Sequence, residues 1–544
     1  MAVENALHPS CTGHEPPNDV SRLMRNIILG SEFVMSHITH FYTLAAVSYV
    51  QGPGIAPWTP YFDSSYYVGP LIRPQGTGSP AIANPVYNYI RTNYAGYDRA
   101  VPDSSKSNVP YAFGLGAAYT GLDGIWDNVI FDYVTALKFR RDAANASAIL
   151  GGRTPQIQNG CLVGGSAKTP SAADVALVKS TITACAGFVE THQIPLTQIV
   201  SYLYGNNGQT GTGALAGAET AARVYDNDGS DPMTGFGAGA ATGVGANRVL
   251  AWGVFDEDMN GGDDPNRLLK RGCYEWNGSA MVAVDTPANL VGDLEEYIDS
   301  SRYDDDADKG AHPKHPSEGY TNPNAANGYS WAKSPRINGK ACQVGPLARM
   351  AVQGERAAGT NQWDSYQIGT TKNVVMTSHP YLGPIVTANL AAIADIYGPL
   401  PAPGFLCGFS TMDRHRARAY EALKIAKAVQ GWCDDLTTAL GGDHYTAWTM
   451  PTSGTQTGYG AHEAPRGALA HFIEVTGGRI SNYQAVVPTT WNVNPEAPAG
   501  EHGPIESAII GINVAGTTSG GHTVSVEALR VVQGFDPCIA CTVH

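Results

Sequence analysis

The chain ends in the nine residues Asp-Pro-Cys-Ile-Ala-Cys-Thr-Val-His, numbered 536–544. Cys538 and Cys541 are spaced so that one turn of backbone brings both sulfur atoms to the same side, where they can bind one metal ion. His544 adds an imidazole nitrogen three residues later. A C-x-x-C pair alone is shared by zinc sites, redox pairs and iron–sulfur proteins, so the rest of the chain must decide between them.

Composition predicts a globular protein and excludes several classes. The chain has 544 residues, of which 43% are hydrophobic and 15% charged, so it can bury a large core. A net charge of −14, without a Lys/Arg cluster, argues against a nucleic-acid partner. We expect no bilayer-spanning segment, because no apolar run approaches the ~18–20 residues that a span needs, and no basic-then-apolar signal opens the chain.

The cysteines do not resemble a disulfide framework, because their number is odd and they are widely scattered. We expect the first seven to be buried free thiols, which leaves the last pair as the one spaced for a metal. The nine positions are Cys11, Cys161, Cys185, Cys273, Cys342, Cys407, Cys433, Cys538 and Cys541.

Apolar periodicity predicts four helices, at about 21–50, 127–150, 171–190 and 413–440. Ser171 and Asp174 form a capping-box-like pair at the start of the third helix. His37 and His40 lie on one face of the first helix and could be packed histidines, metal ligands or proton carriers. Residues 51–125 read as long loops. A Gly/Asp-rich insertion at about 205–265 interrupts what we predict to be a single domain, 1–544.

Six segments together resemble the large subunit of [NiFe] hydrogenases, and their order and spacing agree from about Glu32 to His544. The closing D-P-C-x-x-C-x-x-H resembles the nickel-binding motif of that family. The other five are 36–44 (SHITHFYTL), 329–336 (YSWAKSPR), 344–349 (VGPLAR), 463–469 (EAPRGAL) and 482–492 (NYQAVVPTTWN). Chance agreement of so many separated motifs is not credible.

The resemblance implies a fold and a set of cofactors. The fold would be mainly α with small β sheets, arranged as a central helical bundle with long loops. The cofactor would be a Ni-Fe centre with CO and cyanide ligands on iron, with Cys538 as a terminal nickel ligand and Cys541 as a bridging ligand. His544 would bind a structural Mg²⁺ together with a backbone carbonyl near Ala485.

The resemblance also implies reversible heterolytic cleavage of H₂ and assigns residues to it. Arg336 would lie above the open coordination positions of the metals. The proton from H₂ would go to Arg336 or to the thiolate of Cys538. By physics alone, Arg336 after Pro335 reads as a surface ion pair on a stiffened backbone. Asp536 would orient Arg336 through a charge-assisted hydrogen bond.

Two further segments would line the same site in the family. The helix that carries His37 would pass beside it. A β-type turn at Val487-Pro488 would leave Thr489 free to donate its hydroxyl to a cyanide.

Partners and location follow from the same resemblance. Electrons from H₂ uptake would pass to iron–sulfur clusters of a small subunit, because this chain has no cysteine set for them. The pair would form a heterodimer or a higher oligomer and deliver electrons indirectly to a membrane cytochrome or another acceptor. The partner's export signal would place the protein in the periplasm, or at the extracytoplasmic face of the membrane; a cytoplasmic location is the alternative.

Three departures from the family pattern lie in the first part of the chain. The motif R-x-C-G-x-C-x-x-x-H, which supplies two more thiolates, has no counterpart here, and Cys11 does not match it. An R-G-x-E segment is also missing, and Ser36 stands where an aspartate is common. A mis-called start or fragment, a separate N-terminal polypeptide, or a cofactor-less relative would each explain this. The alternative function is therefore a non-catalytic or H₂-sensing relative with an incomplete metal site.

Overall fold

The computed structural model describes residues 2–7, 18–46, 123–160, 162–197, 248–259, 266–276, 281–303, 322, 324–358, 411–498, 500–510, 517–519, 522–524 and 526–542. His544, Cys11 and most of the loops and insertion predicted at 51–125 and 205–265 lie outside these residues. The single-domain prediction is therefore untested and stays a prediction.

Helices make up about half of the described chain. They are α1 (Ala2–Leu7), α2 (Asp19–Thr39), α3 (Asp123–Gly151), α4 (Ala172–Phe188), α5 (Pro346–Ala358), α6 (Thr411–Ala439), α7 (Pro488–Val493), α8 (Pro504–Ile509), α9 (Val526–Gly534) and α10 (Ile539–Thr542). Helices α2 and α4 continue into the π-helical segments His40–Ala45 and Val189–Gln193.

Local capping starts two of the predicted helices. The Asn18 side chain accepts a hydrogen bond from the Ser21 backbone N–H, at 2.8 Å, so α2 begins two residues before the predicted start. Ser171 and Asp174 form a reciprocal capping box at the start of α4, which confirms that prediction.

The four long helices pack in a ring. Helix α2 packs against α3 and α6, and α4 packs against the same two helices. Gly30 on α2 permits the close approach to α6, because a Cβ there would lie 2.5 Å from Val429 Cγ2. The ring encloses apolar side chains such as Ile27, Val34 and Leu423, which are fully buried.

The sequence predicts no bilayer-spanning segment, but one helical stretch meets the simple criteria for one. Residues Ala172–Thr197 are long and apolar enough to cross a membrane by length and composition alone. The stretch packs against α3 and α6 within the ring. Core helices of similar composition meet the same criterion, so this is weak evidence for a span.

Short antiparallel strands form several small sheets. The strands are β1 (Arg248–Ala251), β2 (Val254–Asp256), β3 (Arg267–Leu269), β4 (Gly272–Trp276), β5 (Met281–Ala283), β6 (Leu294–Tyr297), β7 (Ser334–Ile337), β8 (Thr455–Ala464), β9 (Gly467–Thr476), β10 (Arg479–Val486), β11 (Thr517–Ser519) and β12 (His522–Val524). The sheets pair as β1-β4-β5, β8-β9-β10, β2-β3, β6-β7 and β11-β12. The predicted combination of helices with small sheets is confirmed.

The hairpin between β8 and β9 is the strand connection that matters for the site. Ala464 pairs with Gly467, so Pro465 and Arg466 form a two-residue turn. Gly467 has φ +140°, and a Cβ there would lie 2.5 Å from Val344 Cγ2. Glycine is therefore required where this turn packs onto the segment that leads into α5.

Candidate metal centre

Cys538 lies in the short loop between α9 and α10, and Cys541 lies in α10, the helical turn that follows it. The Cys541 N–H donates to the Cys538 carbonyl at 3.1 Å, and the two Cα atoms are 5.3 Å apart. The sulfur atoms lie on the same side and are joined as a disulfide, with an S–S distance of 2.11 Å. One turn of backbone thus brings both sulfurs together, as the C-x-x-C spacing predicts.

Thr489 contacts this loop directly, from the first turn of α7. Its hydroxyl oxygen accepts a hydrogen bond from the Cys538 backbone N–H at 3.1 Å. The predicted β-type turn at Val487-Pro488 is wrong: Val487 is the N-cap of α7 and Pro488 occupies its first turn, where proline is favoured. The contact uses an oxygen lone pair, which leaves the hydroxyl hydrogen able to donate to another group.

Asp536 is a buried carboxylate two residues before Cys538 and is 1% exposed. Its Oδ1 lies 3.0 Å from Arg466 Nη2, and its backbone carbonyl accepts from Arg466 Nε at 3.1 Å. His40 Nε2 and Arg418 Nε lie farther from the carboxylate, each at 3.9 Å. The β8–β9 turn, α2's π-helical end and α6 therefore meet at this residue.

The structure corrects the prediction that Asp536 orients Arg336. Arg336 lies in β7 and is fully buried, so the surface-ion-pair interpretation is wrong as well. Its guanidinium donates to Asn494 Oδ1 at 2.6 Å, to the Pro335 carbonyl at 2.9 Å and to the Glu501 carbonyl at 2.9 Å. Burial lowers its pKa to about 10. Strand β7 turns this side chain toward 494–501, and no contact between described residues joins it to Asp536.

The two histidines of α2 have different partners. His37 Nε2 lies 2.8 Å from Glu421 Oε2, with both side chains fully buried. His40 Nε2 donates to the Gln533 carbonyl at 2.7 Å. Burial lowers both pKa values, that of His40 well below its usual range. His40 is thus a packed histidine bonded to the backbone of the last turn of α9, whereas His37 belongs to a carboxylate network.

Sequence reasoning missed that network. Arg349 donates to both oxygens of Glu421 at 2.7 and 2.6 Å, and to Glu463 Oε2 at 2.7 Å. Arg349 and both glutamates have no exposed side-chain surface. Glu421 stands among buried alanines of α6, and a lone carboxylate on an apolar helix face is the signal that could have revealed it.

The donor set fits one side of a soft-metal site. Two cysteine sulfurs on one turn suit a thiophilic metal once they are thiolates, and Arg466, which contacts the loop at Asp536, would offset their charge. Within the part of the chain that the structure describes, no group of three or more His, Cys, Asp and Glu side chains is arranged to hold a metal. A metal centre built on these two sulfurs would therefore need further ligands from outside the described residues.

The remaining predicted residues are placed as follows. Ala485 lies on β10, whereas its predicted Mg²⁺ companion His544 is outside the described residues. Cys185, Cys273, Cys342 and Cys433 are buried free thiols, as predicted. Cys161 and Cys407 lie outside the described residues.

Comparison with known proteins identifies the family. A family model described as nickel-dependent hydrogenase matches residues 127–230 and 217–544. The periplasmic [NiFeSe] hydrogenase large subunit of Desulfomicrobium baculatum is 29% identical over 529 residues, covering 96% of this chain and 78% of that protein. The hydrogenase-2 large chain of Escherichia coli (strain K12) is 28% identical over 545 residues, covering 96% of this chain and 82% of its own length.

Solved structures agree on the fold. An H₂-activated [NiFeSe] hydrogenase from Dm. baculatum superposes with a TM-score of 0.63 at 27% identity, covering 100% of this chain and 85% of the other. A [NiFeSe] hydrogenase from D. vulgaris Hildenborough gives a TM-score of 0.66 at 23% identity, which supports the fold alone. Because the family model spans most of the chain and includes the Cys538–Cys541 loop, this chain belongs to the nickel-dependent hydrogenase family.

Proposed function

We propose that this chain is the catalytic large subunit of a [NiFe] hydrogenase that cleaves H₂ into protons and electrons, in the uptake direction. Its class, a nickel-iron hydrogenase, follows from the family membership. The observation that carries the proposal is the convergence of Asp536, Arg466 and Thr489 on the loop of Cys538 and Cys541. No comparison favours the non-catalytic alternative.

Cys538 and Cys541 would hold the metal centre, with the other ligands supplied from outside the described residues. The centre, when bound, would supply the open coordination position at which H₂ is split, and its iron would carry CO and cyanide. Thr489 keeps the Cys538 amide fixed, and its hydroxyl hydrogen is available to a cyanide.

Arg466 takes over the role first assigned to Arg336. It is held on the cysteine loop by both the carboxylate and the carbonyl of Asp536. Its side chain remains 31% exposed, so part of the guanidinium is free to face a ligand. Asp536 would fix the orientation of this cation, as a charge-assisted bond does. Arg336 and Pro335 become structural, because Arg336 is fully buried and its Nη1 and Nη2 donate to Asn494 Oδ1 and to the carbonyls of Pro335 and Glu501.

The remaining assignments extend the proposal to partners and location. The relatives are named as the large subunit or large chain of a hydrogenase, which implies a small subunit as partner. Electrons would leave through iron–sulfur clusters of that small subunit. A periplasmic location is proposed because the Desulfomicrobium baculatum relative is named as periplasmic. His544 and the carbonyl of Ala485 would bind a structural Mg²⁺.

Metal analysis and infrared spectroscopy of the chain purified with its partner test the proposal. We expect nickel and iron together with CO and cyanide bands, and H₂-dependent reduction of a viologen dye. Cys541→Ser should abolish the bands and the activity, whereas Cys433→Ser, which changes a buried thiol on α6, should retain both. Absence of nickel and of the infrared bands from the wild-type complex would refute the proposal.

A further inference from the structure

Arg418 is a buried cation that the proposed catalytic roles do not use. It lies on α6 with its side chain 2% exposed. Its Nη2 donates to the Gly534 carbonyl at 3.2 Å, and its Nε lies 3.9 Å from Asp536 Oδ2. One guanidinium therefore spans the C-terminal end of α9 and the loop that carries Cys538.

Burying this charge is costly, so the loop must compensate it. Desolvation lowers the pKa of Arg418 to about 10, while the Asp536 carboxylate acts in the opposite direction. A buried guanidinium is tolerated when a carboxylate and carbonyl oxygens surround it. The same carboxylate also meets Arg466 through its other oxygen, so Asp536 lies between two guanidinium groups.

The loop itself adopts a conformation that needs external support. Asp536 has φ +56°, in the left-handed region that non-glycine residues rarely occupy. Such a residue keeps its conformation only where the surroundings impose it. Gly534 lies against the first residue of α6, where a Cβ would be 3.0 Å from Thr411 Cγ2. Helix α6 is therefore the surface on which the loop rests.

We propose that Arg418 is a positioning residue that holds Gly534 and Asp536 so that Cys538 and the Arg466 guanidinium keep their places at the metal centre. The catalytic consequence rests on the proposed function. The placement of the loop does not depend on the proposed function, because this placement can be measured in the metal-free chain. Arg418 acts through Asp536 and has no described contact with either cysteine.

Hydrogen exchange followed by mass spectrometry on the full-length, metal-free chain tests the placement. The amides of Asp536, Cys538 and Cys541 report on it, with the cysteine pair kept in one redox state. Arg418→Met should speed exchange in the 535–542 peptides by about tenfold, because a charge-assisted contact holds the loop closed. Arg418→Lys keeps the charge but loses the fork, so we expect about a threefold increase. Unchanged exchange in both variants would overturn the proposal.

Arg416→Met is the matched control on the same helix. Arg416 is equally buried, but its ion pair is with Asp413, one turn away. The Arg416→Met variant should leave hydrogen exchange in the 535–542 peptides unchanged even if the whole chain becomes less stable. An equal rise in these peptides in both Met variants would show a general loosening of α6 and would overturn the proposal.

A double variant shows whether Arg418 acts through Asp536. Asp536→Asn leaves the Arg418 charge without its carboxylate, so adding Arg418→Met should raise exchange much less than it does in the wild-type chain. Multiplicative effects would contradict the proposal. In the loaded complex, Arg418→Lys should shift the CO and cyanide infrared bands at unchanged nickel content. Absence of CO and cyanide bands from the wild-type complex itself would count against the proposed function. The hydrogen-exchange test would then still decide the role of Arg418.

Discussion

Replacing Glu463 by glutamine should remove a pH-dependent penalty on folding. Glu463 Oε2 lies 2.7 Å from Arg349 Nη1, and Oε1 accepts from the Trp252 backbone N–H at 2.6 Å. Arg349 also donates to both carboxylate oxygens of Glu421 through Nε and Nη2, so one guanidinium serves two buried carboxylates. Burial raises the pKa of Glu463 to about 7. Burial acts on Glu421 too, but the charge and hydrogen bonds of Arg349, helped by His37, bring its pKa down to about 2.

The size and sign of the effect follow from the pKa of Glu463. The rise of the Glu463 pKa from 4.5 to about 7 corresponds to about 3 kcal/mol, at 1.36 kcal/mol for each tenfold change in proton affinity. Because the folded state binds this proton more tightly than the unfolded state, stability is highest below pH 4.5. It falls as the pH rises through 4.5 to about 7. Glutamine carries no such proton and still offers an oxygen to the Trp252 N–H.

Denaturation of the metal-free wild type and Glu463→Gln at pH 5, 6, 7 and 8 measures this difference. Relative to the wild type, the variant should gain about 2–3 kcal/mol between pH 5 and pH 8. Titration of the buried histidines affects both proteins and cancels in the comparison. Glu421→Gln is the control, because it removes a carboxylate whose pKa is lowered to about 2 and which is ionised throughout this pH range; it should destabilise the chain by an amount that does not change between pH 5 and pH 8. A stability difference between Glu463→Gln and wild type that is independent of pH would refute the reasoning.

Two further predictions concern packing and the arginines. Gly30→Ala should destabilise the chain by about 1–3 kcal/mol, because its Cβ would meet Val429 Cγ2 at 2.5 Å. Gly431→Ala is the control: a Cβ there meets nothing within 4 Å, so the substitution should be neutral or stabilising. A lower melting temperature in both variants would contradict the packing argument. Arg466→Lys should lower H₂-dependent dye reduction by at least about tenfold at unchanged melting temperature, because lysine cannot make the two-point contact. Arg336→Lys should instead lower the melting temperature, and equal effects of the two substitutions on turnover would refute the reassignment.

Much of the helical framework could be predicted because its causes are local. The apolar spacing of α6 and the capping box of Ser171 and Asp174 act over a few residues, so α3, α4 and α6 start and end close to the predicted positions. Helix α2 instead gives way to a π-helical segment after Thr39, short of the predicted end at about residue 50. The beginning of α2 was displaced by two residues because Asn18, and not Ser21, caps it. The strands were not predicted as elements: most have three to five residues, too few for a periodic signal.

The partners of buried charges could not be predicted, because they are set by packing over long separations. Arg349 and Glu421 are 72 residues apart, and Arg466 and Asp536 are 70 residues apart along the chain. No local rule selects between such pairs. The cysteine loop differs, since its two sulfurs are three residues apart and the spacing alone brings them together.

The choice between Arg336 and Arg466 shows what decides such a role. Both follow a proline, at Pro335 and Pro465, so their local sequence does not separate them. Arg336 lies inside a strand, where its Nη1 and Nη2 are both committed to oxygen acceptors in a fully buried pocket. Arg466 lies in a two-residue turn and is bound by Asp536 through Nε and Nη2, which leaves Nη1 without a hydrogen bond to any described residue. A cation that must respond to a ligand needs an uncommitted donor that the ligand can reach. The Nε of Arg336 has no partner among the described residues, but the side chain is fully buried. Arg466 is anchored on Asp536 and 31% exposed, so of these two arginines it meets the condition.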